Sequence, residues 1–168
     1  HGLLLAGLLD TAEEAARRYR ERSEGTTGFG YGVTSAMCGA VAQARGKVHT
    51  AARLFGEALA ASVPTFTLPV DLHGALGMAG DTASARDAWL RMTPTAQHPG
   101  FAQVKPELLL GGAWVAAAEG SLREAVALCR QAAQVAASQH QPAVEVVVLH
   151  TAVCFGDRTL GGRLAELA

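Results

Sequence analysis

The sequence has little from which to build a core of large side chains, since aromatic residues are only 5% of it. It has two lysines, Lys47 and Lys105, no asparagine, and a formal net charge of -1. That balance offers no electrostatic attraction for nucleic acid or for an anionic membrane as a direct ligand. Cysteine is scarce as well. Cys38, Cys129 and Cys154 are far apart, odd in number and outside any C-x-x-C motif, which argues against a disulfide framework or a zinc ribbon and fits a reducing cytoplasm. Long hydrophobic runs are missing: the longest candidate, Leu108 to Ala118, stops at Glu119, short of the ~18 residues that a membrane span needs. The opening His1-Gly2-Leu3-Leu4-Leu5-Ala6-Gly7 has no basic n-region and runs into a charged helix, so it reads as a poor signal peptide. A chain that begins with His, in mid-pattern, reads as a piece of something longer.

What the sequence does have is small apolar residues. Hydrophobic residues make up 49% of the 168 positions, with a mean hydropathy of +0.18, enough for the core of one compact domain or of a short repeat array spanning residues 1–168. With so few aromatics, that core must come from close approach of helices across small residues. Alanine, which is everywhere, also has the best helix propensity.

The small residues recur in a pattern, clearest in Gly46-Lys47-Val48-His49-Thr50-Ala51-Ala52-Arg53-Leu54-Phe55-Gly56-Glu57-Ala58-Leu59. Counting from the glycine, Ala51, Leu54, Phe55 and Ala58 fall at offsets that lie on one face of a helix. The same offsets hold Ala12, Ala15, Ala16 and Tyr19 after Gly7, and Ala85, Ala88, Trp89 and Met92 after Gly80. They hold Ala125, Leu128, Cys129 and Ala132 after Gly120, and Gly161, Leu164, Ala165 and Ala168 after Gly156. The five glycines are 39, 34, 40 and 36 residues apart, periods that mean stacked helix-turn-helix units. Each glycine closes a first helix in the left-handed conformation and lets the chain reverse. Asp81, Ser121 and Asp157 follow directly as N-caps of the second helices, and Ser121 with Glu124 forms a capping-box pattern.

This predicts an all-α chain of four to five such units turning at Gly7, Gly46, Gly80, Gly120 and Gly156. A glycine-rich connector over Gly25 to Gly32 leads to a helix from Val33 to Arg45, and Val63 to Val70 is a loop. The expected first helices of the later units run over Asp71–Ala79, Glu107–Glu119 and Ala143–Phe155. After Thr93 an irregular stretch with Pro94, Pro99, Gly100 and Pro106 excludes a continuous helix and separates two halves of the array.

Gly39, Gly46, Ala51, Phe55 and Ala58, and again Ala113, Gly120, Ala125 and Ala132, match small and aromatic positions of a tetratricopeptide repeat. The unit resembles a degenerate form of that repeat. It lacks the large aromatic early in the first helix, where Ser35 and Leu109 sit, and lacks a regularly spaced proline after the second. The stretches Gly46 to Leu54, Ala113 to Gly120, and Leu149-His150-Thr151-Ala152 through Gly156 to Arg163–Ala168 are similar to the helical region of large ATP-binding LuxR-type regulators. That resemblance implies an α-α superhelix between a nucleotide-binding domain and a helix-turn-helix domain, neither of which is in this sequence.

The chemistry that the residues could support is thin. Gly25-Thr26-Thr27-Gly28-Phe29-Gly30-Tyr31-Gly32 suggests a phosphate loop, yet it follows a helix and no Gly-Lys-Ser/Thr closes it. Arg17, Arg18, Arg20 and Arg22 are within helical reach of Glu13, Glu14, Glu21 and Glu24, which favours a mutually paired surface. His150 and Cys154 are four apart, and Cys129 belongs to the neighbouring helix, so three zinc ligands can be imagined. Structural zinc sites usually need four, and Cys129 occupies the slot of Phe55 and Trp89, where a buried apolar cysteine suffices. Asp71 and His73 are close but have no nucleophile motif near them. His73 falls where Gly39 and Ala113 fall, which favours a packed or partly exposed structural histidine.

No catalytic, cofactor-binding or metal residue is therefore assigned, and no residue of a binding surface is singled out. The expected role is a non-enzymatic, cytoplasmic interaction or effector-sensing segment of a LuxR-type regulator. Its concave face would meet a protein partner or a small effector, with contacts to the nucleotide-binding and DNA-binding domains of its own polypeptide and none to membrane or nucleic acid. The competing role is a free-standing tetratricopeptide-type adaptor. A carboxylate clamp of the chaperone kind needs several Lys and Asn on inner helices, which this chain lacks.

Overall fold

In a computed structural model of the protein, residues 2–61, 68–92 and 99–167 are described, the side chains of 68–70 excepted. Among them the chain forms ten α-helices and no strand. They are α1 (Gly2–Leu5), α2 (Leu9–Arg22), α3 (Phe29–Ala44), α4 (Val48–Ala60) and α5 (Leu68–Met78). There follow α6 (Thr82–Met92), α7 (Lys105–Ala118), α8 (Leu122–Ser138), α9 (Pro142–Cys154) and α10 (Gly161–Leu167). Short 3-10 turns cover Pro99–Val104 and Arg158–Leu160.

The five glycines do what their spacing predicts. Gly7, Gly46, Gly80, Gly120 and Gly156 all have positive φ, from 72° to 104°. After each, the next amide donates to a carbonyl five residues back: Lys47 N to Ala42 O at 2.8 Å, Asp81 N to Leu76 O at 3.0 Å, Ser121 N to Ala116 O at 2.8 Å. These bonds satisfy carbonyls that the helix end would otherwise leave open. A sixth closure was not legible in the sequence. His140, with φ 55°, ends α8 in the same way, Gln141 N donating to Ala136 O at 2.9 Å.

Other expectations need correction. α3 begins at Phe29, with Gly28 at φ 77° as its N-cap, so Gly30 and Gly32 are helical rather than parts of a connector. The expected loop over Val63 to Val70 gives way to helix at Leu68, and residues 62–67 lie outside the described residues. Pro69 and Pro106 sit in the first turns of α5 and α7, where a missing amide donor costs nothing. Thr93 and Pro94 lie outside the described residues. Ser121 is the N-cap of α8 but its side chain makes no capping bond, so the capping box does not form. Asp157 caps the 3-10 turn, accepting from the Thr159 amide at 3.2 Å, and Asp81 accepts from the Ser84 amide at 3.2 Å.

The helices pack in sequence order. α3, α5, α7 and α9 contact one another successively, while α4, α6 and α8 each contact the odd helix before and after. The stretch after Thr93 does not divide the array, because α5 lies directly on α7. Small residues allow this: a Cβ on Gly77 would come 2.8 Å from the Trp114 carbonyl carbon, and one on Gly74 would be 3.4 Å from the Gly111 Cα. Buried side chains fall into four clusters in succession along the chain. Phe55, fully buried, packs where Gly39 has no side chain; a Cβ there would lie 2.8 Å from its ring. Trp89 is only partly buried, over Gly112, with its ring centroid 5.2 Å from that of His73.

Candidate functional site

The common face of the odd helices is hollow. It forms a groove of about 330 Å³, near the lower end of the range for small-molecule sites, which starts at about 300 Å³. α3 contributes Ala40 and Gln43, α5 Asp71 and Met78, α7 Glu107, Leu110 and Trp114, and α9 Val144, Val147 and Thr151; Leu4 and Leu5 of α1 complete it. Most of this lining is apolar. Trp114 is held by an edge contact with Phe155, ring centroids 4.8 Å apart, and Gln43 Nε2 lies 3.5 Å from Met78 Sδ.

Two carboxylates stand in this apolar lining, and no Lys or Arg lines the groove. Burial first, and the charge of Glu107 second, push the Asp71 carboxyl up to about 7. Glu107 is also raised by burial, against the pull of its own backbone amide. Its Oε2 is shut off from solvent and has no hydrogen-bond partner. Each acid lies in the first turn of its helix, where the positive end of the helix dipole makes a negative charge tolerable. That placement gives the sequence signal missed: Asp71, Glu107 and Glu145 open α5, α7 and α9 at intervals of 36 and 38 residues.

Glu145 has a different fate. It is buried but receives Arg163, Nε to Oε1 at 2.9 Å. A separate hollow of about 280 Å³ between α2, α3 and α4 is rich in arginine. Those arginines are committed: Arg17 to Glu14 and Glu21, Arg45 to Asp10 and Glu13, and Arg20 lies over the Tyr31 ring at 5.9 Å. Arg18 pairs with Glu14. The basic cluster is therefore largely a paired surface, as the spacing of the acids implies.

The three imagined zinc ligands do not form one cluster. Cys129 is fully buried and its thiol is pushed up to about 12 by burial and then by the charge of Asp157, so it stays protonated and is a poor metal ligand. Cys154 is exposed, its Sγ 3.9 Å from His150 Nε2. Among the described residues no cluster of three His, Cys, Asp or Glu could hold a metal ion. His73 is fully buried, its Nε2 3.4 Å from the Leu108 carbonyl and its ring filling the space above Gly111. Asp71 and His73 thus belong to different surroundings, one in the groove and one in the core. No described helix is long and apolar enough to cross a membrane.

The chain matches no protein-family model, no curated protein and no solved structure.

Proposed function

We propose that this chain is a tetratricopeptide-like superhelix that works by binding rather than by chemistry, as the effector-sensing segment of a LuxR-type ATP-dependent regulator. The observation that carries the binding reading is the groove, whose lining is drawn from four successive odd helices rather than from one loop. A ligand seated there touches every unit from α3 to α9, so its binding energy depends on how those units are spaced. That is how a repeat array couples occupancy to shape: a ligand shifts the population only by the difference in its affinity for two arrangements. The regulator reading rests on the sequence resemblance. In it, the change in spacing is passed to a nucleotide-binding domain of the same polypeptide.

The test is a photo-crosslinking residue at Val147, an exposed position on the groove wall, in the full-length protein. Crosslinks to a nucleotide-binding domain that change in yield with the nucleotide support the regulator. Crosslinks only to separate proteins favour the free-standing adaptor, and the absence of any crosslink overturns the groove as a contact surface.

A further inference from the structure

The groove holds an imbalance that its own residues do not correct. Asp71 and Glu107 line it from neighbouring helices, close enough for the charge of one to raise the other's pKa. Cations abound elsewhere on the molecule, and the buried Glu145 and Asp157 each receive an arginine, Arg163 at 2.9 Å and Arg130 at 2.7 Å. Among the described residues Asp71 and Glu107 receive none. A carboxylate oxygen removed from water without a donor is among the costlier states a folded chain keeps, and Glu107 Oε2 is in that state. What relieves such a pair is either a proton or an incoming cation.

From this we infer that the groove is a receptor site for a small organic cation, an ammonium or amidinium group carried on an apolar body. The cation sits between Asp71 and Glu107, and the body lies along Leu110, Trp114 and Val147. A cation near an aromatic wall gains further from the negative face of the ring. The groove's volume of about 330 Å³ suits a ligand of this size. This rests on the reading of the odd-helix face as a binding surface and adds the class of ligand.

The same groups give the site a pH dependence. Of the elements packed against α5, α3 brings Gln43 and α7 brings Glu107 to the groove, and α4 and α6 bring nothing to it. α9 and α1 add no titratable side chain, and the smaller hollow that shares Asp71 is lined otherwise by apolar residues of α1, α2 and α3. Below about pH 7, where Asp71 holds a proton, the entering cation must displace it.

The experiment uses hexylammonium, 1-hexanol and hexanoate as probes, titrated against the protein by calorimetry with Trp114 fluorescence alongside. Hexylammonium should saturate a single site, with affinity rising about tenfold from pH 6 to pH 8 as Asp71 ionises. Asp71→Asn and Glu107→Gln should each weaken hexylammonium by tenfold or more at pH 8 and leave 1-hexanol unchanged. Melting curves of both variants establish that they are folded. Equal affinity for hexylammonium and 1-hexanol, or no effect of either substitution on hexylammonium, overturns the cation site while leaving an apolar groove. No binding of any probe by the folded protein overturns the small-ligand assignment, and the Val147 crosslinking result then stands or falls separately. Saturable capture of a lysine-containing peptide with no hexylammonium binding would replace the small ligand by a protein segment and so overturn it as well.

Discussion

At the scale of single residues, Phe55 and Asp71 act on stability in opposite directions. Phe55 is fully enclosed against Gly39, so Phe55→Ala leaves a cavity that the neighbouring helices cannot fill. It should cost about 3–5 kcal/mol in a urea or thermal melt, and a loss below about 1 kcal/mol would contradict the packing. Asp71 works the other way. Its pKa rises from the ordinary 3.8 to about 7 on folding, so between those values the unfolded chain has lost a proton that the folded chain still holds. Folded protein binds more protons than unfolded there, and stability falls as pH rises. The contribution is roughly 1.4 kcal/mol per pH unit across that window. It is nil below the unfolded pKa and at its largest above pH 7. Asp71→Asn removes the charge, so the difference between variant and wild type should grow from pH 4 to pH 7 in the variant's favour. A parallel pair of stability-against-pH curves would mean that Asp71 is not desolvated.

At the scale of elements, glycines separate into those the packing requires and those it does not. Gly77 meets the backbone of Trp114 and Val115 at 2.8 and 2.9 Å from a would-be Cβ, and backbone cannot step aside. Gly77→Ala should push α5 from α7 and cost about 1–3 kcal/mol. Gly56, inside α4, has nothing within 4 Å of such a Cβ. Gly56→Ala should stabilise by about 0.4–1 kcal/mol, because alanine restricts the unfolded chain at no steric cost to the folded one. Chemical denaturation of the two variants side by side checks both, and the same sign for both would deny the close α5–α7 approach.

At the scale of the whole molecule, each helix packs on its neighbours in sequence and the buried residues form successive clusters. Stability in such an array is a chain of local terms. Phe55→Ala should therefore reduce amide hydrogen-exchange protection most in α3, α4 and α5, and least in α8 and α9. Uniform loss of protection along all helices would show instead that the array unfolds as one cooperative unit.

The helices and their turns were legible because they are written in local geometry. A glycine at intervals of 34 to 40 residues, followed by small residues on one helical face, specifies where each helix must stop and which face it must bury. Neither needs a distant partner. The left-handed closures and the burial of Ala51, Leu54, Phe55 and Ala58 follow from that alone. What depended on distant residues was misread. The glycines of Gly25 to Gly32 suggest a connector locally, yet α3 begins at Phe29 and Gly32 is buried within it. The prolines after Thr93 suggest a break, yet α5 reaches α7 across Gly74 and Gly77. The groove could only emerge in three dimensions, because its acids are 36 residues apart; both are raised by lost water, and Asp71 further by the charge of Glu107. Whether a carboxylate is paired, like Glu145 with Arg163, or left facing another carboxylate, like Asp71, is decided by which side chains the stacking of helices brings within reach.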